Sequence, residues 1–300
     1  MVEHTTAINQ AIVTLDVALP GIVWGWMITL NLWAKSIATG TILVGAYLLA
    51  RYGAENTKGL KPILPIIAFI FLNIFLLFTL LDLHQPFRMI NIFIHPHFTS
   101  AITVGAWMAT VLTGIIAFMS YLVFFKKQTD GIYDKLLKAA VVLAVPVTLY
   151  TAAIMGEASA RELWQTPAEL IQMALAALLA GAAVLSFFSG NWSKEAKRDL
   201  GIILAVAAFL SFIMYMGEYY LSFKSEEAEA TLAFIQEGGE YHTLFWLGQI
   251  IGYILPFFIA INAAKSANGA LLKLAGILAL IGLFIAKHVW LIIPQLLSLS

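Results

Sequence analysis

The polar residues that could carry chemistry are concentrated between Leu81 and Trp107, beside apolar runs long enough to cross a membrane. Eight hydrogen-bonding or ionisable side chains fall within 18 positions there: Asp82, His84, Gln85, Arg88, Asn91, His95, His97 and Thr99. Such groups are unfavourable at a membrane boundary unless they are paired or functional. We therefore expect this segment to contribute to a functional site.

Composition assigns the chain to the integral membrane proteins. Hydrophobic residues make up 61% of the 300 residues and charged residues only 11%, whereas soluble domains contain about 25% charged residues. Lys plus Arg and Asp plus Glu number 17 each, so net charge gives no indication of nucleic-acid binding. Because the chain has no cysteine, it cannot ligate an iron–sulfur cluster through thiolates.

Eight apolar runs approach the ~20 residues that a membrane-spanning helix needs. They predict an all-α integral membrane protein with eight transmembrane helices and both termini on one side. We expect two four-helix bundles, formed by residues 1–160 and 161–300, with the functional site in the first. The runs cover approximately 24–50, 62–81, 100–125, 136–156, 168–189, 200–222, 243–264 and 270–295.

Basic residues are distributed unevenly between the loops on the two sides. The loops after the first, third, fifth and seventh runs hold twelve Lys and Arg residues, whereas the other loops hold only Arg88, Arg161 and Lys224. Because cytoplasmic loops are enriched in Lys and Arg, we expect both termini to lie outside the cytoplasmic membrane. The acidic segment 224–240 then also lies outside, either as a solvated loop or as a docking surface for a partner.

The polar residues within the predicted spans lie in the outer half of the membrane. Lys35 precedes Arg51 by 16 residues, which corresponds to about 24 Å of helix, and Tyr150 follows Lys138 by 12 residues, about 18 Å. The same argument places the following residues there: Asn31, Asp82, Glu157, Glu218, Lys287 and His288. This asymmetry predicts a site that opens toward the outer face rather than a channel.

Two motifs resemble those of the NrfD/PsrC family, the membrane subunits of polysulfide-reductase-type complexes. The first comprises Asp82-Leu83, Pro86-Phe87-Arg88, Pro96, Thr99-Ser100 and Gly105-Ala106-Trp107, with His84-Gln85 where Gly-Arg is usual and His95 where Asn is usual. The second comprises Tyr150-Thr151-Ala152 and Leu163-Trp164-Gln165-Thr166-Pro167. With the matching number of helices, the resemblance covers most of the chain.

The resemblance implies that a quinone or quinol, with menaquinone expected, is held among the first four helices. Tyr150 matches the quinone-binding tyrosine of the family, and Asn31 falls where some members carry a histidine. A quinone head group needs an apolar slot and hydrogen-bonding partners that pass protons. We add Lys35 and His84 as quinone-binding candidates, and the proton-transfer candidates are Asp82, Glu157 and Arg88.

The function implied by the resemblance is that of a subunit in anaerobic respiration. It would oxidise quinol or reduce quinone and exchange electrons with an extracytoplasmic iron–sulfur subunit, often beside a molybdopterin catalytic subunit. The chain alone would not be an autonomous enzyme, and it would contact membrane lipid but no nucleic acid. The alternatives are an ion or proton transporter without a redox role and a passive membrane anchor.

Structural roles are the alternatives for several of these residues. Tyr150 could be a packing residue, and Lys35 could extend to the outer surface. Asp82 and Arg88 could form an ion pair that fixes the loop. Lys287 and His288 could pair with Glu218, again as structure.

Metal and haem sites are not expected. His95 and His97 have no third ligand at helical spacing, and His288 is the one histidine within a predicted span. Haem b between helices usually requires two histidines in the spans.

Overall fold

The computed structural model describes residues 21–221 and 225–297, and within these ranges it contains the expected eight long apolar helices and no strand. The helices are α1 Trp26–Asn56, α2 Leu60–Asp82, α3 Ala101–Lys126, α4 Ile132–Gly156, α5 Thr166–Ser186, α6 Lys194–Leu221, α7 His242–Ser266 and α8 Gly269–Gln295. The prediction of an all-α protein with eight membrane-length helices is confirmed. Lys224 and the C-terminal Ser300 lie outside the described residues.

Two helices extend beyond their apolar runs into polar sequence. Helix α1 extends to Asn56, with a break at Gly53 where φ is 72° and ψ is 168°, and α6 begins at Lys194, about six residues past the predicted boundaries on each side. Backbone hydrogen bonds stabilise a helix whether or not its surface is apolar, so hydropathy marks the membrane and not the helix end. The polar extensions contact each other, because Arg51 Nε lies 2.9 Å from Asp199 Oδ2.

Helix α7 contains a π-helical turn, Ile250–Ile254, immediately before Pro256. Proline lacks the N–H group that would bond to the carbonyl group of Gly252, four residues earlier. At the same level α7 crosses α8 very closely, since a Cβ atom built on Gly282 would lie 2.0 Å from Gly252 N. The π-helical turn therefore lies at the contact between α7 and α8 that Gly252 and Gly282 form.

Helix α1 is largely buried and packs against α2, α4, α5 and α8. Its contact with α5 is formed by small residues: a Cβ atom on Gly40 would lie 1.8 Å from Ala177 O, and one on Gly181 would lie 2.2 Å from Gly40 C. Small residues allow membrane helices to approach closely. The two halves of the chain are therefore joined by a tight helix contact, and their division at residue 160 stays a prediction.

Both ends of the described chain meet at one face of the bundle, which we call the terminal face. Gln295 Oε1 accepts hydrogen bonds from the N–H groups of Val23 (2.9 Å) and Trp24 (3.0 Å). The loop between α4 and α5 lies at the same face, because Arg161 Nη1 donates to Leu297 O at 2.9 Å. These contacts agree with an even number of spans, and the assignment of this face to the outside stays a prediction.

The opposite face is formed by the short loops on which most of the basic residues lie. Ser193 N–H, between α5 and α6, donates to Asn56 O at the end of α1 over 2.9 Å. Lys61 Nζ lies 2.6 Å from Asp130 Oδ1 and 2.9 Å from Asp134 Oδ1, which joins the start of α2 to the α3–α4 loop.

Candidate functional site

Lys35 lies buried inside the bundle, between α1 and α4. Its Nζ donates a hydrogen bond to Thr151 Oγ1 and stands 4.9 Å from the centroid of the Tyr150 ring. A buried ammonium group is unfavourable unless it is hydrogen-bonded or lies over π electrons, and α4 supplies both interactions. Lys35 therefore points into the bundle rather than to the outer surface, and it lies beside Tyr150 as a pair that we call the Lys35–Tyr150 contact.

The ring of Tyr150 is held in place by a glycine of α3. A Cβ atom built on Gly105 would lie 2.1 Å from Tyr150 Cδ2 and 2.2 Å from Cε2, so any larger residue would displace the ring. Gly105 belongs to the first sequence motif and Tyr150 to the second. The structure brings the two motifs together, and the glycine is the feature of α3 that admits the tyrosine.

Asn31 lies one helical turn before Lys35 on α1 and binds α2. Its Nδ2 donates to Phe75 O (2.9 Å) and to Thr79 Oγ1 (2.5 Å). Both N–H groups of the amide are therefore engaged in a helix–helix contact. Only Asn31 Oδ1 could take part in ligand binding, as an acceptor from a quinol hydroxyl.

The segment between α2 and α3 is folded over the start of α3. It forms a 3₁₀-helix, Pro86–Ile90, and one short helical turn, Asn91–Ile94. Trp107 of α3 packs against Phe93 and Phe98 of this segment, with ring centroids 5.6 and 6.4 Å apart. The first motif thus fixes its own loop through Trp107, two residues after Gly105.

The remaining predicted residues lie at the terminal face, outside the Lys35–Tyr150 contact. Asp82 is the last residue of α2, about 4.5 Å further along the axis than Thr79. His84 and Arg88 are exposed, and Glu157 is exposed at the end of α4, about 10 Å along the axis from Tyr150. These four residues are not brought into the buried group.

The ion pair considered between Asp82 and Arg88 is not formed. Both residues belong to the described part of the chain, and no salt bridge joins them there. The backbone turns after α2 into the 3₁₀-helix Pro86–Ile90, in which the Arg88 side chain is exposed. The loop is fixed instead by the aromatic contacts of Trp107.

A second buried polar group, formed by α5 and α8, joins Lys287 to Glu169, which the sequence pattern did not single out. Glu169 of α5 is buried, and its Oε1 accepts a hydrogen bond from Trp290 Nε1 at 3.1 Å. Lys287 of α8 is also buried, and its Nζ lies 3.6 Å from Met173 Sδ. An acidic and a basic side chain are thus enclosed near the terminal face, at the depth of the first turn of α5.

A small cavity of about 10 Å³ lies beside these side chains. Its lining comprises Leu32, Met155, Glu169, Gln172, Met173, Tyr215, Lys287, Trp290 and Leu291. We call it the Glu169–Lys287 cavity. A volume near 10–15 Å³ accommodates one water molecule, whereas ligand pockets measure about 300–1,000 Å³. A quinone head group does not fit there, so the half-buried ring of Tyr150 is the better place for it.

The residue pattern contains little indication of this second group. Glu169 follows Pro167 in the first turn of a helix, a position where an exposed acidic residue is common because of the helix dipole. Lys287 lies near the end of an apolar run, where lysine often extends to the surface. The neighbouring His288 points elsewhere, because its Nδ1 lies 2.9 Å from Thr29 Oγ1 and its ring stacks on Phe284.

The second motif covers this cavity from the terminal face. Trp164 is buried and stacks on Trp24, with ring centroids 5.2 Å apart, and its Nε1 donates to Trp290 O at 3.4 Å. Arg161, in the same loop, is anchored to Leu297 O. Burial lowers the pKa of Arg161, while the nearby Glu227 carboxylate raises it.

The hydrogen-bond donors at the Lys35–Tyr150 contact suit a quinone. The described residues do not provide a set of metal ligands. A lysine ammonium lies over the ring of a tyrosine within membrane-spanning helices, and both side chains carry hydrogen-bond donors of the kind that quinone oxygens need. Residues 21–221 and 225–297 contain no group of three or more His, Asp or Glu side chains that could hold a metal ion.

Comparisons with known proteins identify the family of the chain. The sequence pattern of the family described as "Polysulphide reductase, NrfD" matches residues 17–298, which include all eight helices. The protein is also 26% identical to the C subunit of polysulfide reductase from Wolinella succinogenes over 296 aligned residues. That alignment covers 86% of this chain and 92% of the relative.

Proposed function

Because the chain belongs to the polysulphide reductase NrfD family, we propose that it is the quinone-reactive membrane subunit of a respiratory oxidoreductase complex. It oxidises quinol or reduces quinone, with menaquinone as the expected species, and exchanges electrons with an iron–sulfur subunit outside the cytoplasmic membrane. The observation that carries this proposal is the Lys35–Tyr150 contact, where a buried lysine lies over a half-buried tyrosine ring inside membrane-spanning helices.

A bound quinone supplies two-electron, two-proton chemistry, and the chain supplies the groups around it. The Tyr150 hydroxyl and the Lys35 ammonium donate hydrogen bonds to its oxygens. Thr151 orients Lys35 by accepting a hydrogen bond from Nζ, and Gly105 fixes the Tyr150 ring. Asn31 Oδ1 remains available as an acceptor.

Protons are exchanged with the outer water near the terminal face. Asp82 ends α2 one turn from Thr79, and Glu157 ends α4 two turns from Tyr150. Carboxylates at these ends can pass protons between the buried groups and solvent, and Arg88 holds positive charge beside that route. His84 lies exposed on the loop, so its part in binding requires contact with a quinone at the membrane surface.

The partner is an iron–sulfur subunit, with a molybdopterin catalytic subunit beyond it. The name of the relative, which designates it as the C component of a polysulfide reductase, indicates further subunits in that complex. In this protein four glutamates are exposed on the segment between α6 and α7 at the terminal face: Glu226, Glu229, Glu237 and Glu240. Glu227 accepts a hydrogen bond from Glu162 N–H at 3.1 Å, which connects the acidic segment to the α4–α5 loop. The acidic surface is therefore held in one position, where a partner can dock.

Photolabelling tests the proposal directly. A photoreactive menaquinone analogue should label peptides of α1 or α4 in the purified complex, and excess unlabelled menaquinone should prevent the labelling. Lys35→Met should reduce the labelling, and Lys265→Met, on the opposite face, serves as the control. A passive anchor or a transporter without a redox role would show no saturable labelling.

A further inference from the structure

An acidic and a basic side chain are buried near each other without forming a direct ion pair. Glu169 is 2% exposed and Lys287 is 6% exposed. No salt bridge joins them, although both belong to the described part of the chain. Glu169 Oε1 accepts a hydrogen bond from Trp290 Nε1, and Lys287 Nζ lies 3.6 Å from the weak acceptor Met173 Sδ. Buried polar groups are destabilising unless they are hydrogen-bonded, so a further hydrogen-bonding group between these two side chains would be stabilising.

The Glu169–Lys287 cavity provides room for that group. It has the volume of one water molecule, about 10 Å³. Gln172 also lines it, and Gln172 Nε2 is buried with no hydrogen-bond partner among the described residues. A buried water is typically stable with two to four polar partners. Glu169, Lys287 and Gln172 provide three, which include one donor that is otherwise unsatisfied.

The cavity is one helical turn from the Lys35–Tyr150 contact. Leu32, on its wall, precedes Lys35 by three residues on α1, and Met155 follows Thr151 by four residues on α4. This separation is about 5 Å along both helices. Lys35 also lies within electrostatic range of both Glu169 and Lys287. The other ionisable groups facing Glu169 from α6 are Glu218 and Tyr215, and Tyr253 of α7 stacks on Tyr215.

We propose that Glu169, Lys287 and Gln172 bind one water molecule and form a proton-exchange site for Lys35. This inference rests on the proposed quinone function. Reduction of the quinone to quinol takes two electrons, which would arrive from the iron–sulfur centre of the partner, and two protons. An N–H bond of Lys35 would break to supply one proton, and the outer water would supply the other by the route through Asp82 and Glu157. The Glu169 carboxyl group would then lose its proton to the bound water, and a proton from this site would restore the Lys35 ammonium across the one helical turn that separates them. Glu169 is left as a carboxylate beside the Lys287 ammonium, and quinol oxidation reverses each transfer.

Infrared difference spectroscopy of the assembled complex tests this inference. Spectra are recorded between the states with oxidised and reduced bound menaquinone, in H₂O and in D₂O. We expect a carboxylic acid C=O band that shifts in D₂O and disappears in Glu169→Gln. The band should remain in Glu195→Gln, since Glu195 is exposed on the opposite face. The absence of the band in the native complex, or its persistence in Glu169→Gln, would overturn the proposal.

A second variant keeps the test decisive if Glu169→Gln does not fold. Trp290→Phe retains the aromatic packing and removes the N–H group that bonds to Glu169 Oε1. The C=O band should then shift in frequency, and an unchanged band would contradict the assignment to Glu169. The carbonyl bands of the quinone itself appear in the same spectra. Their absence would refute the proposed function, whereas their presence without a carboxyl band would refute only this inference.

Discussion

Replacing Gly105 by alanine should disturb the functional site through Tyr150 alone. The added Cβ would lie 2.1 Å from Tyr150 Cδ2, and ordinary van der Waals contact begins at 3.4 Å. The difference, 3.4 − 2.1 = 1.3 Å, is the least distance by which the ring or the α3 backbone must move. A misplacement of about 1 Å can reduce turnover about 10²-fold, and overpacking of this kind destabilises a protein by about 1–3 kcal/mol. We therefore expect quinone-linked turnover of the complex to fall about 10²-fold.

The assay is menaquinone-coupled electron transfer in the assembled complex, measured beside the thermal stability of each variant. Gly114→Ala is the matched control, because it lies on the same helix and a Cβ atom there meets nothing within 4 Å. A double-mutant cycle identifies the cause: if Gly105→Ala acts through the Tyr150 hydroxyl, it should add little to Tyr150→Phe. Equal turnover in Gly105→Ala and Gly114→Ala would refute the role assigned to the ring position.

Three further results are expected. Lys35→Met should weaken quinone binding by about 1.5–3 kcal/mol, the worth of a hydrogen bond from a charged group, while the protein still folds; unchanged affinity in a binding titration would remove Lys35 from the site. A reporter fused after Ser300 should be detected outside the cell and one in the loop 126–135 inside, and the reverse labelling would contradict the docking face. Gly40→Val should reduce the yield of folded protein in detergent, because its side chain would meet Ala177 O, and a normal yield would show that the α1–α5 contact is dispensable.

The fold could be predicted because hydropathy alone identifies membrane-spanning segments. Each of the eight runs became one helix, since lipid leaves the backbone no alternative to internal hydrogen bonding. The helix ends were less predictable. The polar ends of α1 and α6 remain helical beyond the apolar runs, where Arg51 meets Asp199.

The Lys35–Tyr150 contact was only partly predictable. Depth along the helices placed both residues in the same layer of the membrane. Sequence could not show that they face each other, because that depends on the rotation of α1 against α4. The part played by Gly105 was hidden for the same reason, although its motif was recognised.

The Glu169–Lys287 cavity could not be inferred from sequence. Its polar residues come from α5, α6 and α8, and each of them has an ordinary explanation on its own helix. Glu169 occupies a position where an exposed acidic residue is common, and only the structure shows that it is buried and bonded to Trp290. Conversely, Asp82 and Arg88 are close in sequence, but the turn at Pro86 prevents their pairing.

The most direct test of the central claim is the affinity of the assembled complex for menaquinone, measured for the native protein and for Tyr150→Phe. This substitution keeps the ring against Gly105 and removes only the hydroxyl, so folding and assembly should be unaffected. We expect binding to weaken by about 0.5–1.5 kcal/mol, the net worth of one hydrogen bond. If the hydroxyl also relays a proton, turnover in the same preparation should fall by a further factor of about 10²–10⁴. Native affinity together with native turnover would contradict the assignment of the quinone site to Tyr150.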